Sequence, residues 1–359
     1  MIRSFRYGVS LASTGSRAAH RIHCCGRKRP KSTDGKVENE ILVETADGEW
    51  MLPVTIHTPP PNVSSSSSSS STTLSPILLI AGWTGAAGDW GALPKLLASR
   101  TRRPVISHDA RWIGKARPNT TDPSSLSLHQ MALDAKSILH HLLATLRYEP
   151  PFCLLGNSLG GMVAQLLVAE SSANNNNPPP PISSMILIST GSVAKPDYPA
   201  STDFLSSFDS WEDNDGGSSS TDTQRRRCAK RFFEALGETY LEKPGRLKMR
   251  DRLVEHFVST RHGMQAKEGI DAQKQALLRF SPTTAAIVGK NIVLPPASPP
   301  TFVLHGRNDR VFDYRNAYLL QDSMGSSCEV VVLPDSDHLL ILSDTASVVS
   351  NVETFLKDK

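Results

Sequence analysis

Short apolar runs that lack polar alternation recur along the chain, and each is followed by a turn. They stand at residues 77–81, 105–107, 152–155 and 185–189. An uninterrupted run of this length is typical of a strand that is covered on both faces. Apolar residues three or four positions apart predict helices at residues 90–99, 127–146 and 159–171. Strand and helix units in this order predict an α/β fold with a mostly parallel sheet flanked by helices.

The two ends of the predicted sheet have their own patterns. Alternating residues around Asp47-Gly48 predict an antiparallel β-hairpin with strands at residues 41–43 and 50–56. Further apolar runs predict that the sheet resumes near the C-terminus, at residues 301–305 and 328–333. Two helices are predicted to close the fold, at residues 314–324 and 346–356.

The alternation of strands and helices stops between residues 192 and 300. Helical spacing recurs there at residues 228–241, 247–260 and 266–280, with no clear strand among them. We interpret this region as a helical cap inserted into the sheet domain. The predicted order is therefore a basic tail, the first part of the sheet domain, the cap and the second part of the sheet domain. Their bounds are residues 1–33, 37–191, 192–300 and 301–359.

The charge is distributed unevenly along the chain. Residues 1–33 hold eight Lys and Arg and no Asp or Glu, and beyond them 31 basic residues face 35 acidic ones. A mildly acidic body gives no electrostatic basis for binding nucleic acid. The composition of residues 1–33 is typical of a mitochondrial transit peptide. The alternative is a disordered basic tail on a cytoplasmic protein.

Several other classes of protein are disfavoured by the composition. No apolar run approaches the roughly 20 residues that a membrane-spanning helix needs, so no transmembrane segment is expected. The five cysteines are scattered, which favours reduced thiols in a reducing compartment. No Cys and His cluster completes a zinc site, and we expect neither a metal nor an organic cofactor. The oligomeric state stays unknown.

Residues 152–164 carry the pattern of a nucleophile turn. A short apolar run ends at Gly156, Ser158 follows, and Gly160 and Gly161 precede an apolar helical run. A strand that turns at once into a helix strains the serine backbone and requires tiny residues two positions before and after it. The serine also stands at a helix N-terminus, where unpaired N–H groups can stabilise negative charge. Ser158 is therefore the candidate nucleophile.

A serine hydroxyl needs a base that accepts its proton and an acid that orients this base. Asp309 stands on the turn after one buried run, and His338 stands on the turn after the next. The carboxyl ends of parallel strands share one edge of a sheet, so we expect both side chains near Ser158. Asp335 and Asp337 are rival acids, but Asp309 is preferred because a preceding strand fixes its position.

The oxyanion of an acyl-transfer intermediate needs two N–H donors about 3 Å away. Leu159, directly after the nucleophile, is predicted to supply one backbone amide. Trp83, on the turn after the 77–81 run, is predicted to supply the other, with Gly82 making room. The substrate-binding residues stay unknown: aromatic residues either line an acyl pocket or fill the core, and only Trp112 is assigned to the core. The candidates are Trp83, Trp112, Trp211, Phe204 and Phe208.

From about Val37 to the C-terminus the chain resembles the α/β-hydrolase superfamily, in the subgroup with a helical cap after the sixth strand. The resemblance is carried by the Gly156 to Gly160 turn, the Leu-His-Gly-x-x-Asp segment ending at Asp309 and the Asp-His pair ending at His338. The segment from Asp109 to Gly114 is similar to the family's Asp-x-Arg-x-x-Gly. One departure is Ala81-Gly82-Trp83, because most relatives have His-Gly before the oxyanion residue, which leaves the support of this turn open.

The resemblance implies a serine hydrolase with a Ser158, Asp309 and His338 triad that cleaves an ester or thioester of a small to medium apolar acyl group. Esterases, enol-lactonases, carbon–carbon bond hydrolases and menaquinone-pathway synthases share its features. A carbon–carbon hydrolase or lyase that uses the same triad is therefore the alternative. A third possibility is a binding protein on an inactive hydrolase fold. The partner implied by the first reading is a small-molecule acyl substrate.

Overall fold

A computed structural model describes most of the chain beyond residue 38. The described residues are 39–61, 74–119, 126–170, 177–209, 221–241, 243–260, 263–279, 298–357 and 359. They belong to one compact unit, Glu38–Lys359. The predicted tail at residues 1–33, with its targeting role, lies outside the described residues, and so does Trp211.

Nine strands form one mixed sheet in the described part of the chain. They are β1 (Asn39–Glu44), β2 (Trp50–His57), β3 (Ile77–Ile80), β4 (Val105–His108), β5 (Arg117–Pro118), β6 (Phe152–Asn157), β7 (Ile182–Ile188), β8 (Thr301–Gly306) and β9 (Cys328–Leu333). The order across the sheet is β1-β2-β4-β3-β6-β7-β8-β9, with β5 beside β2. All neighbours from β4 to β9 in this order are parallel, whereas β1 and β2 form the predicted antiparallel hairpin. The predicted α/β fold is confirmed.

Helices follow the strands at nearly the predicted positions. They are α1 (Leu93–Thr101), α2 (Leu128–Leu146), α3 (Leu159–Glu170), α4 (Thr202–Leu205), α5 (Thr221–Leu241), α6 (Leu247–Thr260), α7 (Gly263–Leu278), α8 (Asn316–Met324), α9 (Leu340–Ser343) and α10 (Thr345–Leu356). The first helix starts three residues later than expected, because Gly91 has a φ of 55° and ends a separate 3-10 turn. None of the described helices is long and apolar enough to cross a bilayer.

The region interpreted as a cap, residues 192–300, contains helices in its described parts. Helices α4 to α7, called here the inserted helices, stand between β7 and β8, and no strand occurs among the described residues of this stretch. Helices α5 and α6 pack against each other. Their apolar residues join those of the sheet in one cluster, which includes Phe232 and Phe257.

The core has two layers because strand side chains alternate between the faces of the sheet. In β3, Ile77 and Leu79 belong to the cluster that α1 and α10 cover. Leu78 and Ile80 point to the other cluster, which α2, α3 and the inserted helices cover. All four side chains are buried, so the uninterrupted apolar run reflects burial on both faces.

The turn between β6 and α3 depends on close contact between backbone segments. A Cβ atom at Gly156 would lie 2.5 Å from the carbonyl oxygen of Gly160, and one at Gly160 would overlap the carbonyl oxygen of Ile80. A Cβ atom at Gly161 would lie 2.6 Å from the Thr190 hydroxyl oxygen. The glycines therefore allow α3 to start directly against β3, β6 and the loop after β7.

The segment from Asp109 to Gly114 anchors loops beside this turn. Asp109 accepts hydrogen bonds from the backbone N–H groups of Ala87, at 2.7 Å, and Lys115, at 2.8 Å. Fully buried Arg111 donates to Asp134 on α2, at 2.7 Å. It also pairs with Asp47 and Glu49 of the β1–β2 hairpin. The side chains of Asp109 and Arg111 therefore connect core loops to each other. This structural role accounts for the segment from Asp109 to Gly114.

His108 ends β4 inside the protein. Burial lowers the pKa of His108 from 6.5 to about 4, and a hydrogen bond with the backbone of Leu79 only partly opposes this effect. The folded protein therefore keeps this imidazole neutral at pH values where the unfolded chain is protonated. Its burial contributes to stability in full above pH 6.5, and the contribution is lost as the pH falls toward 4.

We expect the free energy of unfolding to fall by about 3 kcal/mol between pH 6.5 and pH 4 through His108 alone. His108→Gln should remove this part of the pH dependence, because glutamine does not titrate. Urea unfolding at several pH values measures how the free energy of unfolding changes with pH. His129→Gln, which removes an exposed imidazole, is the matched control. Equal slopes in the wild type and in His108→Gln would contradict the assignment.

Gly160→Ala should destabilise the protein by about 1–3 kcal/mol, because the added methyl group forces the backbone of α3 away from Ile80. Urea unfolding measures the change. Gly88→Ala is the matched control, since a Cβ atom there meets nothing within 4 Å. Two substitutions with the same small effect would show that the close approach of α3 to β3 is not required.

Candidate active site

The β6–α3 turn holds Ser158 in a conformation that non-glycine residues rarely adopt. Its φ is 55°, in the left-handed region. Three hydrogen bonds fix the strained backbone: Ser158 N–H donates to Ile188 O at 2.9 Å, and Ser158 O accepts from Gly161 N–H at 2.9 Å and from the Thr190 hydroxyl at 2.6 Å. These hydrogen bonds thus stabilise the strained backbone conformation that the sequence predicts for a nucleophile turn.

The structure brings the three predicted side chains into one chain of hydrogen bonds. His338 Nε2 lies 2.9 Å from Ser158 Oγ, and His338 Nδ1 lies 2.7 Å from Asp309 Oδ2. All three residues are buried. A carboxylate oxygen only accepts, so we assign the proton to Nδ1, which leaves Nε2 free to accept from the serine hydroxyl.

Asp309 is buried, and four N–H groups face its carboxylate. Oδ1 accepts from the backbone amides of Val311, at 2.8 Å, and Phe312, at 3.0 Å. Oδ2 faces the rings of His338, at 2.7 Å, and His305, at 3.0 Å. Burial alone raises the pKa of Asp309, but the charge of His338 and the hydrogen bonds from His305 and His338 hold this pKa well below its usual range. The carboxylate therefore stays ionised.

His305, near the end of β8, is a site residue to which the sequence analysis assigns no role. Its Nε2 lies 3.0 Å from Asp309 Oδ2 and 3.0 Å from the carbonyl oxygen of Phe312. Both atoms are acceptors, so Nε2 carries a proton. The spacing of four residues between His305 and Asp309, at the end of a buried strand, is the sequence signal that could have revealed this contact.

The two rival acids occupy other positions. Asp335 is exposed, next to Lys243 and Arg246 around a small polar cleft. Asp337 is buried, and its Oδ1 accepts a hydrogen bond from the backbone of Leu339 at 3.0 Å. His338 Nδ1 instead faces Asp309, the acid that the sequence favours because a strand precedes it.

Ser158 and His338 lie at the wall of an apolar cavity of about 330 Å³ between the sheet and the inserted helices. Trp83 and Phe204 line it, so two of the aromatic candidates reach the cavity. Phe208 packs against Trp83 with ring centroids 5.3 Å apart, outside the lining.

The inserted helices contribute an apolar wall to this cavity: Phe232, Phe233, Leu236, Leu253 and Phe257. Trp112, the candidate assigned to the core, packs there against Trp50, with ring centroids 4.9 Å apart.

The charged groups at this cavity are few. Among the described lining residues there is no Lys or Arg, and the carboxylate present is that of Asp89. Asp89 Oδ1 lies 3.4 Å from Nε2 of His256, which belongs to α6. The described lining therefore presents apolar side chains, the pair of Asp89 and His256, and the pair of Ser158 and His338 to a ligand, with no Lys or Arg.

The turn after β3 lies directly against the serine. A Cβ atom at Gly82 would lie 3.0 Å from Ser158 Cβ, so the absence of a side chain there allows the close approach. The Trp83 indole donates to the carbonyl of Ile270 at 2.9 Å, and Thr84 N–H donates to Gln273 Oε1 at 2.8 Å. Within the described part of the chain, no protein oxygen accepts from the backbone amides of Trp83 or Leu159.

No group of three or more His, Cys, Asp and Glu side chains in the described part of the chain is arranged to hold a metal ion. The buried thiol of Cys153 lies on β6, and burial raises its pKa to about 11. It is therefore a neutral core group. The titratable side chains at the described cavity wall are His338, which is hydrogen-bonded to Ser158, and the pair of Asp89 and His256.

Comparison with known proteins identifies the family. The model of the alpha/beta hydrolase family matches residues 77–351. No curated protein matches the sequence. An esterase from Thermogutta terrifontis is 19% identical, with a TM-score of 0.60 over 89% of this chain and 98% of the esterase. A 2-hydroxy-6-oxo-6-phenylhexa-2,4-dienoate hydrolase from Rhodococcus is 16% identical, with a TM-score of 0.63 over 89% of this chain and all (100%) of that structure. The chain belongs to the alpha/beta hydrolase family.

Proposed function

We propose that the protein is a serine hydrolase that cleaves a carboxylic ester or thioester of a small to medium, uncharged apolar acyl group. The observation that carries the proposal is the hydrogen-bonded chain from Ser158 through His338 to Asp309, set in the wall of an apolar cavity. Such a chain makes a serine nucleophilic at neutral pH. The cavity supplies the apolar surroundings for an acyl group.

The proposed reaction proceeds through an acyl-enzyme. His338 Nε2 accepts the hydroxyl proton of Ser158 while the serine oxygen attacks the carbonyl carbon. The bond to the leaving alcohol or thiol then breaks, and this group takes the proton from His338. Water attacks the ester formed with Ser158, again with His338 as base. The bond between the acyl carbon and Ser158 Oγ then breaks, His338 returns the proton to Oγ, and the free acid leaves. Asp309 keeps the imidazole in the required tautomer and stabilises its charged form.

The backbone amides of Trp83 and Leu159 are the proposed oxyanion donors. Leu159 begins α3, whose N-terminal amides have no partner within the helix. Gly82 brings the turn with Trp83 next to Ser158. Within the described residues neither amide has a protein acceptor, so both are suited to stabilise the negative charge of the tetrahedral intermediate.

The charge pattern of the cavity favours an ester over a dienoate substrate. Carbon–carbon hydrolysis of a dienoate requires the site to accept the carboxylate of the substrate. In the described lining this carboxylate would meet apolar side chains and Asp89, which is already paired with His256, and no Lys or Arg is present to pair with it. Burying an unpaired carboxylate costs several kcal/mol. The same side chains suit a neutral hydrocarbon chain.

The geometry also argues against a binding protein on an inactive fold. Ser158 Oγ lies 2.9 Å from His338 Nε2, and His338 Nδ1 lies 2.7 Å from Asp309 Oδ2, both within hydrogen-bond distance. A fold that only binds ligands does not require the strained serine or the four N–H groups around Asp309.

Fluorophosphonate labelling should modify the wild type and fail in Ser158→Ala. Hydrolysis of p-nitrophenyl esters should fall by at least about a thousandfold in the same variant, because the residual catalysis comes from binding and the oxyanion site. Ser189→Ala is the matched control, since Ser189 is also buried, follows the neighbouring strand and has a φ of 47°. Labelling that persists in Ser158→Ala would reject this serine as nucleophile.

A pair of esters with equal chain length tests the charge preference. We expect kcat/KM for p-nitrophenyl hexanoate to exceed that for the monoester of adipic acid by at least about 100-fold, because the second ester brings an unpaired carboxylate into the cavity. Asp89→Asn should narrow this ratio, since it removes like-charge repulsion. Turnover of a dienoate that equals ester turnover would favour carbon–carbon hydrolysis instead.

A further inference from the structure

Two hydrogen bonds join the turn after β3 to helix α7 of the inserted helices. The indole N–H of Trp83 donates to the carbonyl of Ile270, and the backbone N–H of Thr84 donates to the side chain of Gln273. The two acceptors are three residues apart, which places them on one face of α7. The side chain of Trp83 and the peptide that follows this residue are thus both fixed by the same helix.

Gln273 is fully buried, and its orientation is determined by this contact. Thr84 N–H can only donate, so the carbonyl oxygen of the glutamine faces it at 2.8 Å. Burying an amide side chain is costly unless its groups are hydrogen-bonded, and Gln273 Nε2 has no protein partner in the described part of the chain. The contact with Thr84 is therefore the interaction of this side chain that offsets its burial.

The backbone of the turn is in a conformation that needs support. Thr84 has a φ of 62°, which a β-branched residue adopts only when its surroundings hold it. The residue before Gly82 is Ala81, whose side chain offers no hydrogen bond to the turn. In this protein the support reaches the turn from α7, which also approaches the core closely at Gly269, where a Cβ atom would lie 2.5 Å from the carbonyl oxygen of Trp112.

We propose that Gln273 is a positioning residue, which fixes the turn so that the Trp83 amide points toward the oxyanion, and that α7 thereby completes the active site. This inference rests on the proposed serine hydrolase function. It makes the inserted helices part of the catalytic apparatus, in addition to their role as the wall of the cavity. An oxyanion donor acts mainly in the transition state, so its displacement lowers kcat more than it raises KM.

Gln273→Met tests the proposal, because methionine has a similar length and lacks the carbonyl oxygen. We expect kcat for a p-nitrophenyl ester to fall about 10- to 100-fold, with KM changed by less than about threefold. Hydrogen exchange of the segment that contains residues 81–86, followed by mass spectrometry on the full chain, should become faster. Leu277→Val is the matched control: it removes buried apolar volume from the same helix and leaves both hydrogen bonds in place, so kcat and exchange should stay close to the wild type.

Unchanged kcat and unchanged exchange in a folded Gln273→Met protein would overturn the proposal. A fall in kcat that Leu277→Val reproduces would also overturn it, because loose packing of α7 would then be the cause. If Gln273→Met does not fold, Trp83→Phe removes the other hydrogen bond and is judged by the same two measurements. A wild type without esterase activity would refute the proposed function, whereas the exchange rates would still decide whether Gln273 holds the turn.

Discussion

The buried carboxylate of Asp309 is the interaction on which the arrangement of the site depends. An unpaired carboxylate in a protein interior is strongly disfavoured, yet this one is ionised because N–H groups surround both of its oxygens. Two of these groups are backbone amides of the turn after β8, so the turn and the carboxylate fix each other. The carboxylate of Asp309, held by these hydrogen bonds, in turn orients the imidazole of His338.

His305 adds a second imidazole to this carboxylate without contacting the serine. Its proton on Nε2 is directed at Asp309 and at the carbonyl oxygen of Phe312, within the same turn. One histidine therefore lies between the acid and the serine, and the other connects the acid to the backbone behind it. His305 in β8 and His338 on the loop after β9 therefore contact the same carboxylate but have different roles.

The inserted helices connect the two functions of the site, chemistry and substrate choice. Their aromatic residues build the apolar wall of the cavity, and the described lining has no Lys or Arg to pair with a charged substrate. Helix α7 also contacts the turn that carries the proposed oxyanion donor. Helices α4 to α6 thus contribute the cavity wall, and α7 contacts the turn beside the serine.

The sequence by itself determined the features that depend on local backbone geometry. Buried strands appear as apolar runs, and the glycines around Ser158 are required wherever a strand turns at once into a helix, so the α/β fold and the candidate nucleophile followed directly. Asp309 and His338 followed from the rule that parallel strands end at one edge. Contacts between distant segments were decided only by the tertiary structure. Gln273 meets Thr84 across 189 residues, and no periodicity or spacing encodes such a pair, because it depends on how α7 packs on the sheet.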